Sequence, residues 1–164
     1  MLFTKASDYA VRILCYLANT GDVVCRTHAI AGGTGIPESF LAKILGQLSR
    51  AGFVRSHRGA HGGFQLARNS REITMLDVVE AVDGPVAVNL CRGREPCEYQ
   101  SHCPIESAWN EAESALRASL RAHTVDELAE SSMRNGIFVL AANRMALEPG
   151  TPAAPPPGLH SGIR

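Results

Sequence analysis

Three features of the chain predict a mainly α-helical fold with a small β-hairpin wing: a winged helix-turn-helix domain followed by a long C-terminal dimerisation helix. A short helical stretch and a longer one are separated by Gly33-Thr34-Gly35, then come two alternating strands around a glycine-rich turn. Downstream, one amphipathic segment of about five turns follows Pro104. The charge supports the same division. Residues 1–71 carry nine Lys/Arg against three Asp/Glu, and residues 72–164 carry seven against thirteen. A basic half suited to a polyanion is joined to an acidic half, and the two cancel to a formal net charge of zero.

The first helix is predicted from Ser7 to about Asn19. Ala10, Leu14 and Leu17 form one stripe, with Val11, Cys15 and Ala18 beside it. Ser7 is the expected N-cap, and Asp8 falls in the first turn, where the helix dipole favours an anion. Cys15 sits within the stripe and is expected in the core. After the turn Thr20-Gly21-Asp22, a short helix is predicted over 27–32. Pro37 then opens a helix running to about Ala51, with Gly52 as its stop. Leu41, Ile44, Leu45 and Leu48 give that helix a buried face at offsets 0, 3, 4 and 7. Its other face carries Ser39, Ala42, Lys43, Gly46, Gln47 and Arg50. Gly46 costs about 1 kcal/mol in a helix interior, which suggests close approach to another backbone.

Phe53–Arg58 and Phe64–Arg68 read as the strands of the wing, with Arg55, Arg58, His61 and Arg68 on or near it. Lys43, Gln47 and Arg50 are then expected to face the major groove of double-stranded DNA. Arg55, Arg58, His61 and Arg68 are expected to meet the backbone or minor groove, and Ser39 lies on the same helix face as the groove-reading residues. Thr74-Met75-Leu76-Asp77 begins the next helix with a capping box, and Thr124-Val125-Asp126-Glu127 begins a last short one. Between them, Ile105, Trp109, Ala112, Leu116 and Leu120 form the apolar stripe of the long helix, as in a dimer arm. The expected organisation is a DNA-binding domain over 1–84, a cysteine loop over 85–103, dimerisation and short C-terminal elements over 104–143, and a proline-rich disordered tail over 144–164. No apolar run approaches the ~20 residues of a membrane span. The N-terminus lacks the pattern of a signal peptide, so a cytoplasmic location is expected, where thiols stay reduced.

The segment Cys91–Cys103 concentrates three of the five cysteines, each pair separated by five residues, in a polar setting with Gly93, Pro96 and four charged residues. Buried structural thiols sit among apolar neighbours, whereas thiols here would be accessible and reactive. Zinc sites usually show Cys-x2-4-Cys pairs, and none is present. Single, evenly spaced thiolates suit an iron–sulfur cluster better. Three thiolates leave one ligand position, for which His102, Glu106 and the distant Asp8 are candidates. A cluster-free thiol redox switch is the alternative chemistry. An iron–sulfur electron carrier or enzyme without DNA binding is the alternative of a different class, although no catalytic triad, phosphate-binding loop or dinucleotide fingerprint is found and no small-molecule substrate is implied.

Taken together, these residues resemble the iron–sulfur winged-helix transcriptional regulators of the IscR/NsrR family over roughly residues 1–130. The resemblance rests on Leu2-x-Thr4-Lys5 with Asp8-Tyr9-Ala10, on Lys43-Ile44-Leu45-x-Gln47-Leu48-Ser49-Arg50-Ala51-Gly52, on Arg58-Gly-x-x-Gly62-Gly63, on Asp77-Val78-Val79 and on the three spaced cysteines. It implies a homodimer with crossing C-terminal helices, a palindromic operator, and a cluster held by Cys91, Cys97 and Cys103 near the dimer interface. Two positions depart from the IscR pattern. Glu106 stands where that regulator has a histidine ligand, and Ala42 where its recognition helix has a glutamate. Asp8 matches the aspartate that, in some NsrR proteins, completes a four-iron cluster from the other subunit. The resemblance therefore implies an NsrR-like set with [4Fe-4S] favoured over [2Fe-2S], and a role in sensing nitric oxide, redox state or iron and cluster supply.

Overall fold

Thr4, not Ser7, caps the first helix. In the computed structural model, which describes residues 3–59, 62–88 and 103–137, helix α1 spans Lys5–Thr20 and the Thr4 hydroxyl accepts from the Ala6 amide at 3.2 Å. Ser7 is instead buried, its hydroxyl donating to the Thr4 carbonyl. The misplaced cap has a long-range cause. Thr4 is held by Asp83, its amide donating to Oδ2 at 3.0 Å and its hydroxyl to Oδ1 at 2.6 Å.

Helix α1 is the centre of the domain. Ile13, Leu14, Tyr16 and Leu17 are fully buried, and the helices that follow surround them. Helix α2 spans Thr27–Thr34, two residues longer than predicted, and ends at Gly35 in the left-handed conformation. Gly33 lets α2 lie directly on α1, since a Cβ there would come within 2.1 Å of the Tyr16 ring. Helix α3, Glu38–Arg50, buries Leu41, Ile44, Leu45 and Leu48 as predicted, with Pro37 at its N-cap. Each fully buried aliphatic side chain contributes about 1.5–3 kcal/mol, so this face anchors α3 firmly and leaves the other free.

Strands β1 (Val54–His57) and β2 (Gly63–Leu66) form an antiparallel hairpin in the register Val54↔Leu66 to His57↔Gly63. A one-residue extension joins it. Cys25 and Phe64 exchange two backbone hydrogen bonds of 2.8 Å, which tie the wing to the α1–α2 connection. Gly63 allows that approach, because a Cβ there would stand 2.4 Å from the Cys25 carbonyl oxygen. A short 3-10 turn, Ser70–Glu72, leads into α4 (Met75–Asp83). Helices α5 (Pro104–Arg121) and α6 (Val125–Arg134) complete the described chain. Both predicted capping boxes form, Thr74 with Asp77 and Thr124 with Glu127. The two N-termini also pair with each other, Met75 donating to the His123 carbonyl and Val125 to that of Ile73. Val125 and Ala129 bring α6 onto α1. Cys15 joins this core, and burial pushes its thiol pKa up to about 12. The fold is thus mainly helical with a two-stranded wing, as expected. Residues 138–164, which contain the predicted tail, lie outside the described residues.

Candidate nucleic-acid interface and effector site

The outer face of α3 carries the predicted polar set in two groups. Ser39, Lys43 and Arg50 are exposed, with Ala42 between them. Gln47 points elsewhere. It is half-buried, and its Nε2 donates to the Val82 carbonyl of α4 at 3.4 Å. Its Oε1 is buried with no hydrogen-bond partner among the described residues. In this conformation Gln47, expected to face the groove, is turned toward the nearby α4 terminus, which supplies an acceptor. The last carbonyls of a helix have no intrahelical donor, so Val82 is a ready partner. Gly46 also departs from its expected cause. A Cβ there would meet only Arg50 Nη1, at 3.6 Å, so within the described chain no backbone crowds it. Its open surface lies beside Ala42, Lys43 and Arg50.

On the wing, Arg55 and Arg58 are exposed, as is His57, which lies on the same strand as Arg55. Arg68 is exposed but anchored. Its guanidinium lies 5.7 Å from the Phe53 ring centroid and Nη2 reaches the Glu72 carbonyl at 3.5 Å. His61 lies outside the described residues. An exposed cationic surface therefore runs from α3 to the hairpin. Beside it, Phe40 packs edge-on against Tyr9 of α1 with centroids 6.0 Å apart.

Of the candidate cluster ligands, Cys91, Cys97 and His102 lie outside the described residues. Cys103 is the N-cap of α5, half-buried and in no disulfide. Three residues on, the Glu106 amide donates to the Cys103 carbonyl at 3.2 Å, which puts the Glu106 side chain in the first turn. Asp8 is exposed in the first turn of α1 and paired with Arg12 Nη2 at 3.0 Å. Within one described chain, Asp8 and Cys103 share no hydrogen bond or ion pair.

The stripe on α5 has two fates. Its C-terminal half packs Leu116 and Leu120 against Leu76, Val79 and Val86, and Glu113 is buried alongside. The N-terminal half is uncovered, with Ile105 61% and Trp109 41% exposed. Sequence reasoning missed the network at the end of α4. Glu80 takes Arg117 of α5 as its ion-pair partner, and its Oε1 also accepts from the Val86 amide at 3.1 Å. Asp83 holds Thr4. Burial alone would raise the Asp83 pKa, but hydrogen bonds from Thr4 and Ser7 outweigh it and leave the carboxyl below its usual value. These partners are 37 and 79 residues apart, so no local pattern announces them.

Residues 3–131 match the Rrf2 family, described as iron-dependent transcriptional regulators. The chain belongs to the Rrf2 family. It is similar to the protein aau3 of Rhizobium meliloti, with 36% identity over 156 residues covering 94% of this chain and all of that one. It is 32% identical over 130 residues to the transcriptional repressor NsrR of Streptomyces coelicolor, covering 78% of this chain and 88% of the repressor. Among solved structures it is similar to CymR, the global cysteine regulator of B. subtilis. That match has a TM-score of 0.65 and 26% identity, and covers 80% of this chain and 98% of CymR. As an Rrf2 member the protein is a DNA-binding transcriptional regulator, not an enzyme. No described helix is long and apolar enough to cross a membrane.

Proposed function

We propose that this Rrf2 regulator binds operator DNA as a homodimer under control of an iron–sulfur cluster, [4Fe-4S] in preference to [2Fe-2S]. The observation that carries this reading is the setting of Cys103, a half-buried thiol in no disulfide at the positive end of α5, directly before the uncovered Ile105 and Trp109. A sulfur donor thus adjoins an apolar face suited to a second copy of the chain. That is the chemistry a cluster at a subunit boundary requires. Cys91, Cys97 and Cys103 would hold three irons. Asp8 of the partner subunit is the favoured fourth ligand, with Glu106 as the local alternative. The Arg12 pair is no obstacle to Asp8, since an exposed i, i+4 pair is worth only about 0.3–0.5 kcal/mol.

When bound, the cluster supplies a centre reactive toward nitric oxide, oxidants or iron loss. The protein's own residues do the rest. Ser39, Lys43 and Arg50 meet the groove, and Arg55, Arg58, His61 and Arg68 meet the backbone of a palindromic site. Phosphate contacts give most of the salt-dependent affinity, and the few groove-facing side chains give specificity. The DNA-binding domain covers 1–84, the cysteine loop 85–103 and the dimerisation region 104–143.

The test is the absorption spectrum and the iron and sulfide content of anaerobically purified protein, followed through exposure to nitric oxide and oxygen, for wild type and Cys103→Ala. Cluster absorption in the wild type and its loss in the variant, with the fold kept, is the expected result. Full iron occupancy in Cys103→Ala removes that ligand from the set. A second reading has its own support in the likeness to the cysteine regulator CymR: a cluster-free thiol switch using the same half-buried Cys103. Reversible, iron-independent loss of DNA binding on mild oxidation would favour it.

A further inference from the structure

Gln47 sits where three parts of the molecule meet, and the meeting point is the last turn of α4. The Val82 carbonyl there takes the Gln47 amide of α3. Two residues earlier in the same turn, Glu80 is held on one side by Arg117 of α5 and on the other by the Val86 amide, on the segment that continues to Cys91. At Asp83 the same turn grips Thr4, four residues before Asp8. Gln47 is also incompletely satisfied, its Oε1 buried without a partner among the described residues. A buried acceptor left unpaired marks an arrangement that a small shift can improve.

We infer that Gln47 is a positioning residue that couples the cysteine loop to the recognition helix through the C-terminal turn of α4. Any displacement of residues 86–88 pulls on Glu80 through the Val86 amide, and Arg117 sets how far that turn can move against α5. The turn carries Val82 with it, and Val82 holds α3 at Gln47, one helical turn beyond the exposed Lys43. The set is suited to this task because the links to the recognition helix and to Val86 are each one hydrogen bond, while Arg117 grips Glu80 through both carboxylate oxygens. Packing fixes the helices to within a rigid-body shift, and the polar contacts select among the shifts. The inference rests on the cluster-gated reading above, but it concerns residues that are neither cluster ligands nor exposed DNA contacts in this conformation.

The experiment uses the full chain, reconstituted anaerobically with ferrous iron and sulfide, and the same protein stripped with a chelator. The probe is the duplex most enriched by the wild-type iron-loaded protein from a randomised DNA library. The quantity read is the ratio of DNA affinities of the loaded and stripped forms. For Gln47→Met, which keeps the chain length and loses both polar atoms, the ratio should fall at least fivefold toward one, with iron content and melting temperature as in wild type. For Arg117→Met, remote from the DNA-facing surface, the ratio should move by a similar factor. Wild-type ratios in both variants would overturn the coupling role, as would a changed ratio that tracks loss of iron from the variants. Equal affinities of loaded and stripped wild type would instead overturn the cluster-gated reading, and that result needs no variant.

Discussion

Removing the Trp109 side chain should dissociate the proposed dimer by an amount that follows from its exposure. A large aromatic side chain buries about 150–250 Å² when fully covered. With 41% of Trp109 uncovered in the single chain, roughly 80 Å² remains for a partner to cover. At about 25 cal/mol per Å² this is ~2 kcal/mol per chain. In a two-fold dimer both copies contribute, giving about 4 kcal/mol and roughly a thousandfold rise in the dimer dissociation constant. Ile105, which is more exposed, should behave similarly and roughly additively on the same face. The assay is sedimentation equilibrium of wild type, Trp109→Ala and Ile105→Ala across a wide concentration range, with circular dichroism to confirm helix content. The variants should remain folded, because Leu116 and Leu120 already hold α5 on its own domain. A dissociation constant within threefold of wild type for both variants would refute α5 as the interface.

Asp8→Ala should cost no more than about 1 kcal/mol of stability, since it removes a surface pair and a first-turn charge. If the partner's Asp8 ligates iron, the same change makes the cluster labile while Glu106→Ala does not, and the reversed pattern of iron retention would reverse that ligand order. Gly46→Ala should stabilise the fold by up to about 1 kcal/mol in denaturant titration, because its Cβ meets only Arg50 Nη1. Weaker operator binding in that variant would show that the open face of α3 approaches DNA closely, and unchanged binding would place the contact elsewhere. Asp83→Ala should cost about 1.5–3 kcal/mol near neutral pH, where the charged carboxylate accepts from Thr4. Because the folded pKa lies below the ordinary 3.8, this contribution is present above that value and lost as pH falls through the depressed one. The stability gap between wild type and variant should therefore narrow as pH falls below the ordinary carboxylate range, and a gap that does not vary with pH would contradict the assignment.

Most of the fold was legible because its determinants are local. The stripe of Leu41, Ile44, Leu45 and Leu48, both capping boxes and the alternating strands each lie within one or two turns of sequence. What escaped is decided at a distance. Ser7 has the right chemistry for a cap, but Asp83 fixes Thr4 and moves the helix start forward. Gln47 has the right position for base reading, but the end of α4 offers it an acceptor 35 residues away. Glu113 falls at the margin of the apolar stripe and is buried because α5 turns that margin toward its own domain. For the site, residue types and spacing picked out cations that the fold leaves exposed on α3 and the wing, and a Cys103 that it places at the start of α5. The geometry of Cys91, Cys97 and His61 lies outside the described residues.

The burial of Cys15 has a chemical consequence. Burial pushes its thiol pKa up to about 12, so the thiolate is strongly disfavoured there at neutral pH. The species that captures ferrous iron, attacks disulfides or reacts with alkylating reagents is thus nearly absent at that position. Cys15 is therefore a weak competitor for iron and sulfide delivered to the chain during metal loading. The same burial makes Cys15 an internal blank. A maleimide count on the folded protein at neutral pH should omit it, and its appearance on unfolding would time the opening of the helical core.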